Sequence, residues 1–196
     1  MIDYIKGQIT ELTPANVVLE TAGVGYFINI SLTTYTALNA KTEAQLFVYE
    51  AIREDAYQLF GFMNRDERQL FLLLISVSGI GANTARVIMS SYTASEIQQM
   101  IAGGDVVSLN AIKGIGTKTA QRIILDLKDK ILKVGTGTDV KGGQYPATSV
   151  VRDETVAALV MLGFAATASQ KVVEKIIQDD PSLSVEKVLK LALKML

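Results

Sequence analysis

The chain has 196 residues, 19 Lys+Arg against 20 Asp+Glu for a formal net charge of −1, 49% hydrophobic residues, and neither His nor Cys. Such a composition folds, as one domain or a few small ones, while the missing Cys excludes disulfides, thiolate nucleophiles and Cys-based zinc or iron–sulfur sites, and the missing His excludes a Ser-His-Asp triad and imidazole metal ligands. The charge also argues against a nucleic-acid partner, which usually meets a basic footprint, and the most apolar run, residues 70–75, is far short of the ~20 residues of a membrane span, so a cytoplasmic protein without a membrane partner is expected.

Residues 1–63 read as strands. Nine of the thirteen aromatic residues lie here, and β-branched residues alternate with polar ones. The predicted strands are 2–11, 16–21, 25–32, 44–52 and 57–62. They are separated by Thr13-Pro14-Ala15-Asn16, Gly23-Val24-Gly25 and the charged Arg53-Glu54-Asp55. Five short strands in about sixty residues suit a small closed barrel of the OB type. OB barrels often stack single-stranded bases on aromatics in a basic groove. This segment holds three basic and seven acidic residues, so Tyr4, Tyr26, Phe27, Phe47, Tyr49, Phe60 and Phe62 are expected mostly in the core or at a subunit interface.

From Asn64 the period becomes helical. Arg65-Asp66-Glu67-Arg68 opens a helix carrying Leu70, Phe71, Leu74 and Ile75. Further helices are predicted over 84–91, 95–101, 106–111 and 118–132, with glycines between them. Residues 134–149, VGTGTDVKGGQYPATS, read as a flexible linker. Residues 150–196 read as a bundle of three helices. Its stripes are Val156, Leu159 and Val160, then Val172, Val173, Ile176 and Ile177, then Val188, Leu189, Leu191, Ala192 and Leu193, the last helix capped by Ser182 or Ser184. So small a domain has a marginal core. Apolar groups around its Gly163 turn, Leu159, Leu162 and Phe164, are therefore candidates for a partner site as well as for the core.

The most informative feature is an internal repeat at an offset of 35. Ser78-Gly79-Ile80-Gly81-Ala82-Asn83-Thr84-Ala85 matches Lys113-Gly114-Ile115-Gly116-Thr117-Lys118-Thr119-Ala120, and six of the twelve positions over 78–89 and 113–124 are identical. Each copy joins two helices, the arrangement of a helix-hairpin-helix motif. The glycines permit backbone conformations closed to other residues, and the isoleucine anchors the turn. Hairpin N–H groups and the following helix N-terminus can then face one phosphate oxygen, a contact that holds DNA without reading its bases. Neither copy is a nucleotide-binding loop. Each follows a helix, lacks a third glycine, and no G-x-x-x-x-G-K-[ST] occurs. No cofactor is therefore expected. The expected DNA contacts are Gly79, Ile80, Gly81, Asn83, Thr84 and Arg86 at the first hairpin, and Gly114, Ile115, Gly116, Lys118, Thr119 and Arg122 at the second.

Regional charge answers the opening objection. Residues 1–63 carry a net −4. Residues 64–133, with nine basic and six acidic side chains, carry +3, and residues 134–196 are neutral. Lys118 and Arg122, four apart, share one helix face just after the second hairpin.

The order of these segments resembles the RuvA family of Holliday-junction-binding subunits. The resemblance rests on Gly23-Val24-Gly25-Tyr26, Arg53-Glu54-Asp55-Ala56, Leu59-Phe60-Gly61-Phe62, the Gly114-Ile115-Gly116 hairpin with Lys118-Thr119-Ala120, and Ala157-Ala158-Leu159 with Leu162-Gly163-Phe164. It implies a barrel over 1–63, a tandem helix-hairpin-helix domain over 64–133, a linker over 134–149 and a motor-binding bundle over 150–196. It implies a homotetramer, one or two per junction, that holds four-way DNA open for the hexameric ATPase RuvB, with the resolvase RuvC as a further partner. It also makes Glu54 and Asp55 an acidic pin at the crossover, where an ordinary polar turn is the alternative. The chain departs from relatives at Asn83 and Thr117, where lysines are common. On this reading the protein is not itself an enzyme. The competing readings are a helix-hairpin-helix nuclease or glycosylase, which would need acids such as Glu96, Asp105, Asp126 or Asp129 at a metal, and a single-strand-binding OB protein.

Overall fold

The computed structural model describes residues 1–134 and 147–196. Strands β1 (Tyr4–Leu12), β2 (Asn16–Thr21), β3 (Val24–Ile30), β4 (Glu43–Ile52) and β5 (Tyr57–Phe62) close a barrel in the order β1-β2-β3-β5-β4. All neighbours are antiparallel except β3 and β5. Alternate residues point inward, so Ile5, Val17, Leu19, Ile28, Ile30, Leu46, Val48 and Leu59 fill the interior. The barrel is the predicted OB-type fold, with strand ends shifted by one or two residues.

One element is absent from the predicted set. Helix α1 (Leu32–Leu38) follows β3 directly, so the third strand stops at Ile30 rather than Leu32. Ser31 caps the helix, its Oγ accepting from the Thr34 amide at 3.1 Å, and Leu38 is buried in the barrel core. Thr33, Thr34 and Thr36 lower its intrinsic helicity; capping and the burial of Leu38 override that.

Helix α2 (Arg65–Ile75) fastens the barrel to the helices. Asn64 Oδ1 accepts from the Glu67 amide, and the Glu67 carboxylate accepts in return from the Met63 amide. Burial raises the Glu67 pKa against the pull of these bonds. Phe71 packs against Tyr49, Phe60 and Phe62, ring centroids 4.9–5.5 Å away. Arg68 reaches back to the Asp3 carboxylate at 2.7 Å. Phe60 and Phe62 thus belong to the same core as Leu70, Ile88, Ile101 and Ile123.

Helices α3 (Ala82–Ser91), α4 (Ala94–Gly103), α5 (Val106–Asn110) and α6 (Thr117–Val134) lie within two residues of prediction. Barrel and hairpin helices form one compact unit, and α7 (Ala147–Met161), α8 (Ala166–Asp179) and α9 (Val185–Met195) form another. The linker expected over 134–149 falls mainly outside the described residues, with Val134 ending α6 and α7 already begun at Ala147.

The bundle core is small: Leu159, Val173, Ile176, Val188 and Ala192. Ser184 stands at the start of α9 without a side-chain cap bond, while Ser182 instead donates to Asp180. Neither serine supplies the expected side-chain cap. Among the described residues no helix is long and apolar enough to cross a membrane.

Candidate nucleic-acid interface

The repeat in sequence is a repeat in backbone geometry. Gly79 and Gly114 adopt φ of +92° and +91°, which a β-branched residue reaches only with strain. The Ile80 amide donates to the Val77 carbonyl and the Ile115 amide to the Ile112 carbonyl, both at 3.0 Å. The Ala85 amide donates to Gly81 and the Ala120 amide to Gly116, both at 2.9 Å. Ile80 and Ile115 are almost fully buried and anchor each turn in the core.

Among protein atoms, a Cβ added at Gly79, Gly81, Gly114 or Gly116 would meet nothing within 4 Å. These glycines do not relieve internal crowding; they hold the outer side of each hairpin open. Gly81 is the N-cap of α3 and offers no side chain to its first-turn amides. Those N–H groups, at Ala82, Asn83 and Thr84, lack intrahelical acceptors and form the positive end of the helix dipole. Thr117, Lys118 and Thr119 hold the equivalent positions of α6.

Around this shared backbone the side chains differ. Lys118 and Arg122 are exposed, and with Ser78 and Thr119 they line a cleft of about 310 Å³. The cleft joins both hairpins, because Ser78 precedes the first and the other three follow the second. Sequence reasoning did not select Ser78; its signal was the matching position of Lys113, one residue before Gly114. At the first hairpin Asn83 is exposed and Thr84 half-buried. Arg86 is not directed to the same space. Its Nη1 donates to the Ala15 carbonyl at 3.0 Å and the Asn29 Oδ1 at 3.3 Å, on the barrel.

Glu54 and Asp55 occupy the exposed tip between β4 and β5, closed by the Arg53 amide donating to the Ala56 carbonyl. Arg53, Asp55, Ala56 and Gln58 face Gly81, Asn83 and Thr84 across a second cleft of about 350 Å³. The acidic turn and the first hairpin therefore border one space. Arg53, another residue not selected from sequence, places a cation in it.

Two acids considered for catalysis are occupied in capping helices. Glu96 forms a reciprocal box with Thr93, and Asp105 accepts from the Ser108 amide and hydroxyl. These bonds hold both carboxyls below their ordinary pKa. Among the described residues no three acidic side chains are grouped to hold a metal ion. Of the barrel aromatics, Phe60 and Phe62 are core, Tyr49 packs on it, Phe47 lies 5.4 Å from the Arg65 and Arg68 guanidiniums, and Tyr4 and Phe27 are exposed.

In the bundle the predicted partner residues separate. Leu159 is completely buried, so it is core and cannot present a docking surface. Phe164 is half-buried against that core. Leu162 is 60% exposed, and neighbouring Met161, not selected from sequence, is 89% exposed.

An OB-type barrel fused to two glycine hairpins of one geometry defines a protein of the barrel-plus-helix-hairpin-helix class. Three family models match the chain: the RuvA N-terminal domain over residues 1–61, the SAM-like helix-hairpin-helix tandem over 71–129 and the RuvA C-terminal domain over 150–196. The chain is 53% identical to proteins of Bacteroides fragilis and Bacteroides thetaiotaomicron and 48% identical to one of Porphyromonas gingivalis, over the full length of both partners in each pair. Each of these relatives is named Holliday junction branch migration complex subunit RuvA. The chain belongs to the RuvA family.

Proposed function

We propose that this chain is the junction-binding subunit of a branch-migration complex, acting in recombination and DNA repair. It binds four-way DNA as a homotetramer and leaves ATP hydrolysis to a separate RuvB motor. The observation that carries the reading is the pair of hairpins with matching φ angles and matching hydrogen bonds, in a chain similar throughout to subunits of Holliday junction branch migration complexes. Each hairpin offers first-turn amides to a phosphate. A single such contact is weak, about 0.3–1 kcal/mol for the dipole part. A second on the same duplex becomes intramolecular and multiplies the first. Lys118 and Arg122 add ordinary phosphate neutralisation at the second hairpin.

The acidic turn supplies selectivity. Glu54 and Asp55 from four subunits would place eight carboxylates near a fourfold axis, repelling phosphates there. A continuous duplex crossing the axis is disfavoured, whereas four arms turning outward avoid the charge. The exposed apolar residues beside Gly163, Met161 and Leu162, support docking of the motor through the C-terminal bundle. RuvC, as a resolvase acting on the same junction, is a further partner of the assembled complex.

The test is binding to an immobile four-way junction, to linear duplex and to single strand of matched sequence, at two salt concentrations. Strong junction preference without strand cleavage in Mg²⁺ is expected. Equal affinity for linear duplex defeats the reading.

A further inference from the structure

We propose that Arg86 and Asn29 form a polar latch that positions the first hairpin against the acidic turn, so that Arg86 acts through the barrel and is not a phosphate ligand. The proposal rests on the junction-binding reading above and concerns how its geometry is held. Arg86 lies one turn into α3, in the basic segment that follows a phosphate-binding hairpin, yet its Nη1 is committed to the Ala15 carbonyl and the Asn29 Oδ1. Asn29 is a relay. Its Nδ2 donates to the Leu59 carbonyl at 3.1 Å, and Leu59 lies on β5, the strand that descends from the acidic turn. The chain of contacts therefore runs from the helix behind the first hairpin, through β3, to the strand behind Asp55.

Two further bonds join α3 to the first turn of α1, the helix that follows β3. The Leu32 amide donates to Ser90 Oγ at 3.1 Å, and Thr33 Oγ1 donates to the Met89 carbonyl at 3.0 Å. Ser90 Oγ in turn donates to the Arg86 carbonyl at 2.7 Å. The joint contrasts with that of α2, which is set by the packing of Phe71 on three rings. Apolar packing is non-directional. Hydrogen bonds from a planar guanidinium are directional, so the latch is suited to set an angle. The angle in question is the width of the cleft of about 350 Å³ that has Arg53 and Asp55 on one side and Asn83 and Thr84 on the other. A junction needs this width held, because the first hairpin grips an arm while the acidic turn repels the crossover.

The experiment uses the full chain and three variants: Arg86→Leu, Asn29→Ala and the double variant. Affinity for junction and for linear duplex is measured across salt. Separately, spin labels at Glu54→Cys and Ser91→Cys, diluted with unlabelled protein, report the spacing of the two elements without DNA; the chain has no native Cys to interfere. The latch predicts a roughly fivefold loss of junction-over-duplex preference in each single variant, on the scale of one or two hydrogen bonds. It predicts an unchanged salt slope, a double variant no worse than the worse single, and a broadened label distance. A phosphate ligand would instead lower the slope by about 0.9 for each DNA-contacting subunit in Arg86→Leu alone. That result, or an unchanged label distance in both single variants, overturns the proposal. Asn29→Ala carries the test if Arg86→Leu does not fold. Wild-type binding decides the functional reading by itself: without junction preference in the wild type that reading fails, while the label distances still decide the latch.

Discussion

The hairpin region and the C-terminal bundle use the same local device and present opposite surfaces. Gly79, Gly114 and Gly163 all sit between helices at φ between +91° and +98°. At the first two, the flanking isoleucine turns inward and the outer side is left to amides, Lys118 and Arg122. At Gly163 the Phe164 amide donates to the Leu159 carbonyl, and Met161 and Leu162 stay outside. A glycine turn thus closes a helical corner cheaply, and its neighbours decide what the corner meets. Anions suit the first arrangement and an apolar partner surface the second.

The strongest challenge to this contrast is Leu159→Ala. Because Leu159 is core, the substitution should destabilise the bundle by about 2–5 kcal/mol, lowering its unfolding midpoint in denaturant while the hairpin unit keeps its own. A stable bundle carrying this change would return Leu159 to the surface. Next in size, Gly79→Val and Gly114→Val should each cost roughly 1–3 kcal/mol in backbone strain. With equal φ and no neighbour to clash, the two costs should agree, as chemical denaturation can check. Unequal costs would break the equivalence of the hairpins.

Charge separates the hairpins where backbone does not. Lys118→Ala with Arg122→Ala should reduce the slope of log K against log salt by about 1.8 for each subunit that contacts DNA, two contacts at ~0.9 each. Asn83→Ala should leave that slope unchanged, which filter binding over a salt series would show. Leu162→Ala should leave stability within ~0.5 kcal/mol, as an exposed site does, yet weaken motor recruitment in a pull-down with the junction-bound complex.

The smallest effect is shared by both regions. Ser108 holds the Asp105 carboxyl, and Ser182 the Asp180 carboxyl, below the ordinary range by hydrogen bonding to the charged form. A depressed folded pKa stabilises above the unfolded value and is lost as pH falls through the folded one. Acid titration of the unfolding midpoint should therefore fall in both units, and Asp105→Asn or Asp180→Asn should flatten the fall in its own unit alone.

Much of this molecule was legible because its signals are local. Alternation marked the five strands, and a shift to helical period marked α2 through α6. A 35-residue offset exposes two hairpins whose first glycines, Gly79 and Gly114, adopt positive φ. The regional charge of +3 against −4 marks residues 64–133 as the basic segment of the chain. Helix α1 escaped because its threonines argue locally against a helix, and the Ser31 cap together with the burial of Leu38 reverses that.

The sequence by itself determined the order of segments, the twin turns and the absence of imidazole and thiol chemistry. Tertiary structure decided where long side chains go. Arg86 follows a hairpin as a phosphate ligand would, but the Ala15 carbonyl before β2 and the Asn29 side chain on β3 lie within reach and accept from its Nη1. Leu159 and Leu162 are three apart in one apolar stretch, and packing of α8 and α9 buries one and leaves the other in solvent. The physical reason is range. Backbone conformation answers to neighbours in sequence, whereas a side chain answers to whatever the fold brings within hydrogen-bonding or van der Waals distance.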